Sequence, residues 1–397
     1  MNKFRSVCPG RPNLLLKREL GNLSCVRFTM TTIRLLIAAL TLFAHSQVFP
    51  QAFKHAWPDT NFDLLNIDLK EIMSGGPPKD GIPPIDAPKF DSISEAGTWV
   101  NEDEPVISVE INGHARAYPL QVMTWHEIVN DELAGSPVSV TFCPLCNASI
   151  VFDRRVGDRI LDFGTTGLLR KSDLVMYDRQ TESWWQQFSG TGIVGDYTDF
   201  ELKRVPSAIV SFSEFSKAYP DGQVLNRDTG LRRPYGENPY PGYDNINSSP
   251  FLFRGKVDSR LPAMERVLGI HHGKAQKIYP FTVFDSQPLI QDEVGGLEIL
   301  AYADSEVLSA LDARDIASAR KVHQVTAFQR TVDGTNSMQF EVRDGHLIDL
   351  GTGSIWNSMG QSIQGPLKGK QLMPVDSGVH FAFAWLAFNP DTEIYDQ

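Results

Sequence analysis

The chain has 397 residues, 42% hydrophobic and 21% charged, with 37 Lys+Arg against 48 Asp+Glu and a net charge of −11. That balance excludes disorder, collagen and coiled coil as the main class, and it argues against a nucleic-acid binder, which carries a basic patch or excess. Four cysteines are too few for a disulfide scaffold, and the length suggests two or three domains at about 150 residues each.

Taken in chain order, the first feature is an apolar run from Leu35 to Ala44, preceded by Arg34. It is half the length of about 20 residues that spans a bilayer, and it fits the apolar core of a secretory signal. Ala44 and Ser46 supply small residues for cleavage after Ser46, with Ala52 as a second site. Residues 30–46 are therefore read as a signal peptide. Residues 1–29 carry six Lys/Arg and one acid, an unusually long front end, so Met30 is expected to be the true start and residues 1–29 a mis-called extension. No later stretch is apolar and long enough to span a membrane, so a soluble periplasmic or extracellular product is expected. Without residues 1–46 the net charge becomes −17, and only Cys143 and Cys146 remain of the four cysteines.

Residues 47–104 form a Pro/Gly-rich entry segment. Beyond it the chain repeats itself. Ile107 to Pro119 recurs as Leu268 to Pro280, each an apolar alternation, a turn ending in Gly, and a strand ending in Tyr-Pro. Asp178–Trp185 sits opposite Asp349–Trp356 at an offset of 171, and Gly195 opposite Gly365 at 170. The expected fold is β-rich α+β, with two homologous tandem units (an internal duplication) packed about a pseudo-twofold axis. The first unit is placed at 105–225, a Tyr/Pro-rich connector at 226–265, and the second unit at 266–397.

Within the units, Asn112-Gly113 signals a two-residue hairpin. A helix is expected over Leu120–Asn130. Strands are expected over Val138–Phe142 and Ala148–Phe152, on either side of the cysteines, and over Arg159–Phe163. Ser211–Tyr219 reads as a helix, with a counterpart at Val379–Phe388. The second unit gains 15 residues before Phe328, and this insert, Ser305 to Arg320, also reads as a helix. It has no cysteine, so the first unit is expected to hold the chemistry and the second to act as scaffold.

The motifs Trp125–Asp131, Cys143-Pro-Leu-Cys-Asn-Ala-Ser-Ile-Val-Phe-Asp-Arg154 and Ser172–Trp184, with the entry segment Gly75–Pro84, carry a family resemblance. From about residue 60 onward the chain resembles the uncharacterised bacterial and archaeal family known as domain of unknown function 3179. The resemblance implies no activity. One departure is Arg170-Lys171 before Ser172-Asp173, where the family pattern has an aromatic and an Asn, so the specificity of any ligand contact there would differ.

Three readings compete for Cys143-Pro-Leu-Cys146. A tight turn between strands is half of a zinc knuckle, aiming two thiolates at one ion. His126 is then the expected third ligand, with His114 in reserve. Three protein ligands and an open position suit zinc, and soft thiolates also suit Cu(I). The second reading is a redox dithiol, and the third a static disulfide. Glu127 is a candidate carboxylate supporting the ligands or a general base, although such a residue is commonly a solvated helix side chain. Asp153, Arg170, Ser172 and Asp173 are confined to the first unit and are the ligand-contact candidates. Asp178, Thr181, Ser183 and Trp185 occur in both units and read as structural. Gly164-Thr-Thr-Gly167 is a weak anion-cradle candidate. Tyr235, Tyr240 and Tyr243 either line a groove or pack. The leading expectation is an exported protein that binds zinc or copper through Cys143, Cys146 and His126, with metal- or thiol-dependent catalysis as an extension. The alternatives are a thiol-disulfide oxidoreductase and a non-catalytic ligand-binding module. No nucleic-acid partner and no membrane span after signal cleavage are expected.

Overall fold

The Asn112-Gly113 turn has positive φ at both residues, as a type I′ turn requires. It joins strands Pro105–Ile111 and His114–Pro119, with Ile111 opposite His114. In this computed structural model, residues 53–334 and 337–396 are described. The stretches expected to be an N-terminal extension (1–29) and a signal peptide (30–46) lie outside them. Among the described residues no helix is long and apolar enough to cross a membrane.

The structure is β-rich. Residues 72–225 form three large sheets, beside a two-stranded ribbon of Arg155–Val156 and Arg159–Ile160. The first has the order Ser207–Ser211, Pro105–Ile111, His114–Pro119, Gln223–Leu225, Phe90–Ser92. The second runs Arg204–Val205, Ala148–Asp153, Ser136–Cys143, Ile128–Leu133. The third runs Ile72–Ser74, Phe163–Arg170, Asp173–Asp178, Trp184–Gln186, Thr191–Val194. Residues 266–394 give Asp376–Phe381, Arg266–His272, Ala275–Pro280, Glu393–Ile394 in one sheet. A second holds Leu289–Val294, Leu297–Leu308, Lys321–Gln329, and a third Phe340–Arg343, His346–Asp349, Ile355–Trp356, Ser362–Gln364. The short last strands, Gln223–Leu225 and Glu393–Ile394, each pair in parallel with the strand that ends in Tyr-Pro.

Two helix expectations are corrected. The helix after Pro119 covers only Leu120–His126. Glu127 stops it in the left-handed region at φ 58, and β-branched Ile128-Val129 then pair with Thr141 and Val140. The Ser305–Arg320 insert is not a helix. The strand Leu297–Leu308 continues into it, because Val307 and Leu308 pair with Val322 and Lys321. The rest turns, with Asp315 capping a single 3-10 turn at Ile316–Ser318. The strand expected over Arg159–Phe163 is broken into Arg159–Ile160 and the start of Phe163–Arg170. The helix at Phe212–Ala218 forms as expected, capped by Ser211. Its counterpart helix is Ala382–Phe388, preceded by strand rather than helix at Val379.

The entry segment wraps the third sheet. Trp57, Phe62 and Ile67 pack on Tyr177, Trp184 and Ile193. Ile72–Ser74 adds a strand to Phe163–Arg170. Gly167 sits at φ 72, and a Cβ there would lie 2.0 Å from the Pro77 carbonyl oxygen. Gly167→Ala should therefore cost about 3 kcal/mol or more, read as a shift in a urea unfolding curve; an unshifted midpoint would contradict this packing.

One apolar cluster joins both halves of the chain. It holds Cys143, Cys146, Phe152, Trp185 and Phe188 together with Phe381, Phe383, Trp385 and Leu386. Between Leu225 and Arg266 the connector forms no helix or strand, yet its Tyr240, Tyr243, Leu252 and Phe253 pack on this cluster.

Candidate metal centre

Strand Ser136–Cys143 delivers Cys143 to the end of a hairpin. Pro144–Cys146 makes one 3-10 turn, with Pro where no N–H is needed, and Asn147 at φ 48 reverses the chain into Ala148–Asp153. Cys143 pairs with Ala148, so the turn is closed tightly and holds both thiols on one side.

A second hairpin meets them. Phe163–Arg170 and Asp173–Asp178 are joined by Lys171-Ser172 at φ 53 and φ 69. This is the backbone of a type I′ turn, which Asn-Gly ordinarily supplies. Side-chain anchors hold it: Ser172 Oγ donates to the Phe251 carbonyl, and Lys171 Nζ donates to the Ala387 carbonyl at 2.7 Å. The turn carries the Ser172 carbonyl to 4.0 Å from Cys143 Sγ and 3.7 Å from Cys146 Sγ. It also sets Asp173 beside them.

One ligand atom from each of Cys143, Cys146 and Asp173 lies within 4.8 Å of the others. All three residues are buried, and both cysteines are free thiols. Asp173 Oδ2 accepts from Gln186 Nε2 at 2.6 Å and from the Phe188 N–H at 2.9 Å. Its Oδ1 is buried and, apart from the thiols of Cys143 and Cys146, has no hydrogen-bond partner. Such an orphan calls for a role, because buried carboxylate oxygens are otherwise satisfied.

The electrostatics point the same way. Burial pushes the Asp173 carboxyl up to about 7. Burial and the Asp173 charge push Glu127 up to about 8. Burial raises the Cys143 thiol, and burial with its Cys143 neighbour raises Cys146 well above the ordinary thiol value. The charges of Asp173 and Glu127 also raise Cys143, and those of Cys143 and Asp173 raise Cys146, whereas hydrogen bonds from the two thiols pull Asp173 down. Burial favours their protonated forms, and a bound cation would favour the charged ones.

His126 is not part of this group, which corrects the expected ligand set. It is fully buried, with Nδ1 2.7 Å from the Pro83 carbonyl and Nε2 2.6 Å from the Tyr235 hydroxyl. Both ring nitrogens are engaged, and Asp173 stands where a histidine was expected. His114 is exposed at the hairpin end and belongs to no such group among the described residues. A His126→Gln variant should therefore match the parent in metal content, read by elemental analysis; a lower content would return His126 to the ligand set.

The other candidates separate. Asp153 is paired with Arg155 at 3.0 Å, and Arg170 with Glu71 at 2.8 Å. Ser172 and Asp173 come to the centre, and Glu127 lies beside it. Gly164–Gly167 is no anion cradle: it lies within a strand, Thr165 Oγ1 donates to the Ile82 carbonyl, and the Gly75 N–H donates to the Gly167 carbonyl. Asp178 caps its own turn, accepting from the Thr181 N–H at 2.7 Å and from Trp185 Nε1 at 2.9 Å. Asp349 does the same for Thr352 and Trp356.

Sequence reasoning did not single out Tyr240 and Tyr243 for this centre. Tyr243 donates its hydroxyl to the Leu145 carbonyl at 3.0 Å, inside the cysteine turn. Burial, with Glu127 and Cys143 nearby, raises the Tyr240 phenol. In a Pro/Tyr-rich connector, a packing tyrosine and a site tyrosine look alike.

The profile of a family described as "Protein of unknown function (DUF3179)" matches residues 79–392. The chain belongs to the DUF3179 family. The DUF3179 match takes in Glu127, both cysteines, Asp173 and the two tyrosines, and leaves out the stretch 53–78 of the entry segment. No curated protein and no solved structure matches this DUF3179 chain.

Proposed function

We propose that this DUF3179 protein binds one transition-metal ion through Cys143, Cys146 and Asp173, with Glu127 as a second carboxylate beside them. The observation that carries the reading is the buried trio within 4.8 Å, one of whose carboxylate oxygens has no other partner. Two thiolates with a carboxylate suit zinc; Cu(I) favours soft donors alone, so copper is the weaker choice. Burial of all the donors fits a tightly held ion that ties the cysteine turn to the Lys171-Ser172 turn. A thiol-disulfide exchanger needs a lowered thiol pKa and partial exposure, and both thiols here are buried and raised.

We further infer that residues 105–225 and 266–395 are copies of one ancestral unit, the second serving as scaffold. Their matching sheet orders and the twin Asp178 and Asp349 turns support this. Export through residues 30–46 remains part of the proposal. Peptide mapping of the fractionated protein tests it, and peptides from residues 1–29 would refute the start at Met30.

The metal is tested on the full chain purified under reducing conditions. Elemental analysis should give one zinc per chain, and less than about a tenth of that in Cys143→Ser and Cys146→Ser. A metal-free parent protein that cannot be loaded with zinc overturns the reading.

A further inference from the structure

Two sheets in this chain carry the same opposed pairs. Met176 faces Trp185 and Tyr177 faces Trp184 in one. Leu347 faces Trp356 and Ile348 faces Ile355 in the other. Each then has a bulge before its last strand. In both, the first pair is buried in the core.

The opposite faces differ. Tyr177, Trp184 and Ile193 are at most 3% exposed, because Trp57, Phe62 and Ile67 of the entry segment lie on them. At the matching places Ile348 and Ile355 are half-buried and Ile363 is 48% exposed. Leu350, next along the chain from that sheet, is 55% exposed.

The edges differ in the same way. In the covered sheet the Asn66 N–H donates to the Ile193 carbonyl at 3.2 Å, and the Gly195 N–H donates to the Leu64 carbonyl at 2.9 Å. Those two bonds clasp the covering segment as an added strand. The matching groups are the Ile363 carbonyl and the Gly365 N–H. Among the described residues neither has a backbone partner. An apolar face beside an unpaired strand edge is the arrangement that receives an extended peptide.

We propose that the outer face of the Phe340–Gln364 sheet docks an extended, aromatic-bearing segment of a partner polypeptide, which adds a strand at Ile363–Gly365 and seats its rings over Ile348, Ile355 and Ile363. The cover of the sister face defines the occupant. There, one run of chain supplies both the paired backbone, Leu64–Asn66, and the rings of Trp57 and Phe62. The chain's own copy of that run is already engaged. A second copy of the chain is a poorer fit, since each carries a net charge of −11 and two such bodies repel.

The test displays a library of 20-residue peptides against the immobilised full chain and measures the selected binders by fluorescence anisotropy. Apolar, aromatic-bearing binders are expected at one per chain, weakened at least tenfold by Ile363→Asp. Leu350→Asp should weaken them in the same direction. Both positions are about half exposed or more, so the variants should keep the parent's circular dichroism and unfolding midpoint. Amide exchange at Ile363 and Gly365 should slow in the complex. Three results would overturn the proposal: no selected binder, binders indifferent to Ile363→Asp, or a homodimer that Ile363→Asp dissolves.

Discussion

Asp173→Asn should weaken zinc binding by at least about 100-fold while making the metal-free protein more stable above pH 7. The substitution keeps the shape of the side chain and the oxygen that accepts from Gln186 and the Phe188 N–H. It replaces the other oxygen, and with it the charge that an ion would need, by an uncharged NH2. The sign of the stability change follows from linkage. In the metal-free fold Asp173 titrates at about 7, above the ordinary carboxyl value, so the folded state holds this proton more tightly than the unfolded chain. Its stabilising share is complete below the ordinary carboxyl value near 4 and is lost as pH rises through about 7. Glu127 adds a loss of the same sign up to about 8. An Asn at 173 does not titrate, so it abolishes the first loss.

Metal uptake has the opposite pH dependence. The ion must displace two thiol protons and, below about pH 7, the Asp173 proton as well. Apparent zinc affinity should therefore fall about 100- to 1,000-fold per pH unit between pH 8 and pH 6. Competition titrations against a chelator, with protons counted from the heat in different buffers, measure both slopes. An affinity that ignores pH would remove the thiols from the ligand set, and an Asp173→Asn protein that binds zinc like the parent would remove Asp173.

Trp385→Ala should destabilise the fold by about 3–5 kcal/mol and expose the thiols, although Trp385 lies in the half of the chain that has no cysteine. The indole is fully buried and packs so closely on Gly269 that a Cβ there would fall 2.0 Å from it. His271, His380 and Phe188 surround it at ring-centroid distances of 4.5, 5.3 and 6.1 Å. Its Nε1 donates to Thr392 Oγ1 at 3.0 Å. Phe188 provides the link to the centre, because its N–H holds Asp173 Oδ2. Loss of the indole leaves a cavity against a side of the cluster that also contains Cys143 and Cys146. Urea unfolding gives the energy, and the rate of thiol modification in the metal-free protein gives the exposure. A cost under about 1 kcal/mol, or thiols that react at the parent's rate, would show that the two halves pack independently.

Local chemistry carried much of the fold. Positive φ at Asn112-Gly113, strands on both sides of Cys143–Cys146, the Ser211-capped helix and the Asp178 turn all depend on residues a few positions apart, and each was legible. The Leu120–Asn130 and Ser305–Arg320 segments were not. Both carry helix-compatible patterns, but Ile128-Val129 and Val307-Leu308 find strand partners that local pattern cannot reveal. Tertiary pairing overrides a weak helical preference.

The candidate centre divides along the same line. From the sequence alone came the cysteine turn, Glu127 and Asp173 as candidates, and the family resemblance. Only the tertiary structure decided which third group meets the thiols. His126 is 17 residues from Cys143 and Asp173 is 30, and spacing favours neither. The choice falls to a strained Lys171-Ser172 turn, anchored through Phe251 and Ala387, that carries Asp173 to the sulfurs while Pro83 and Tyr235 occupy the histidine. Those anchors lie as far as 216 residues away, and only folding brings them within hydrogen-bond reach.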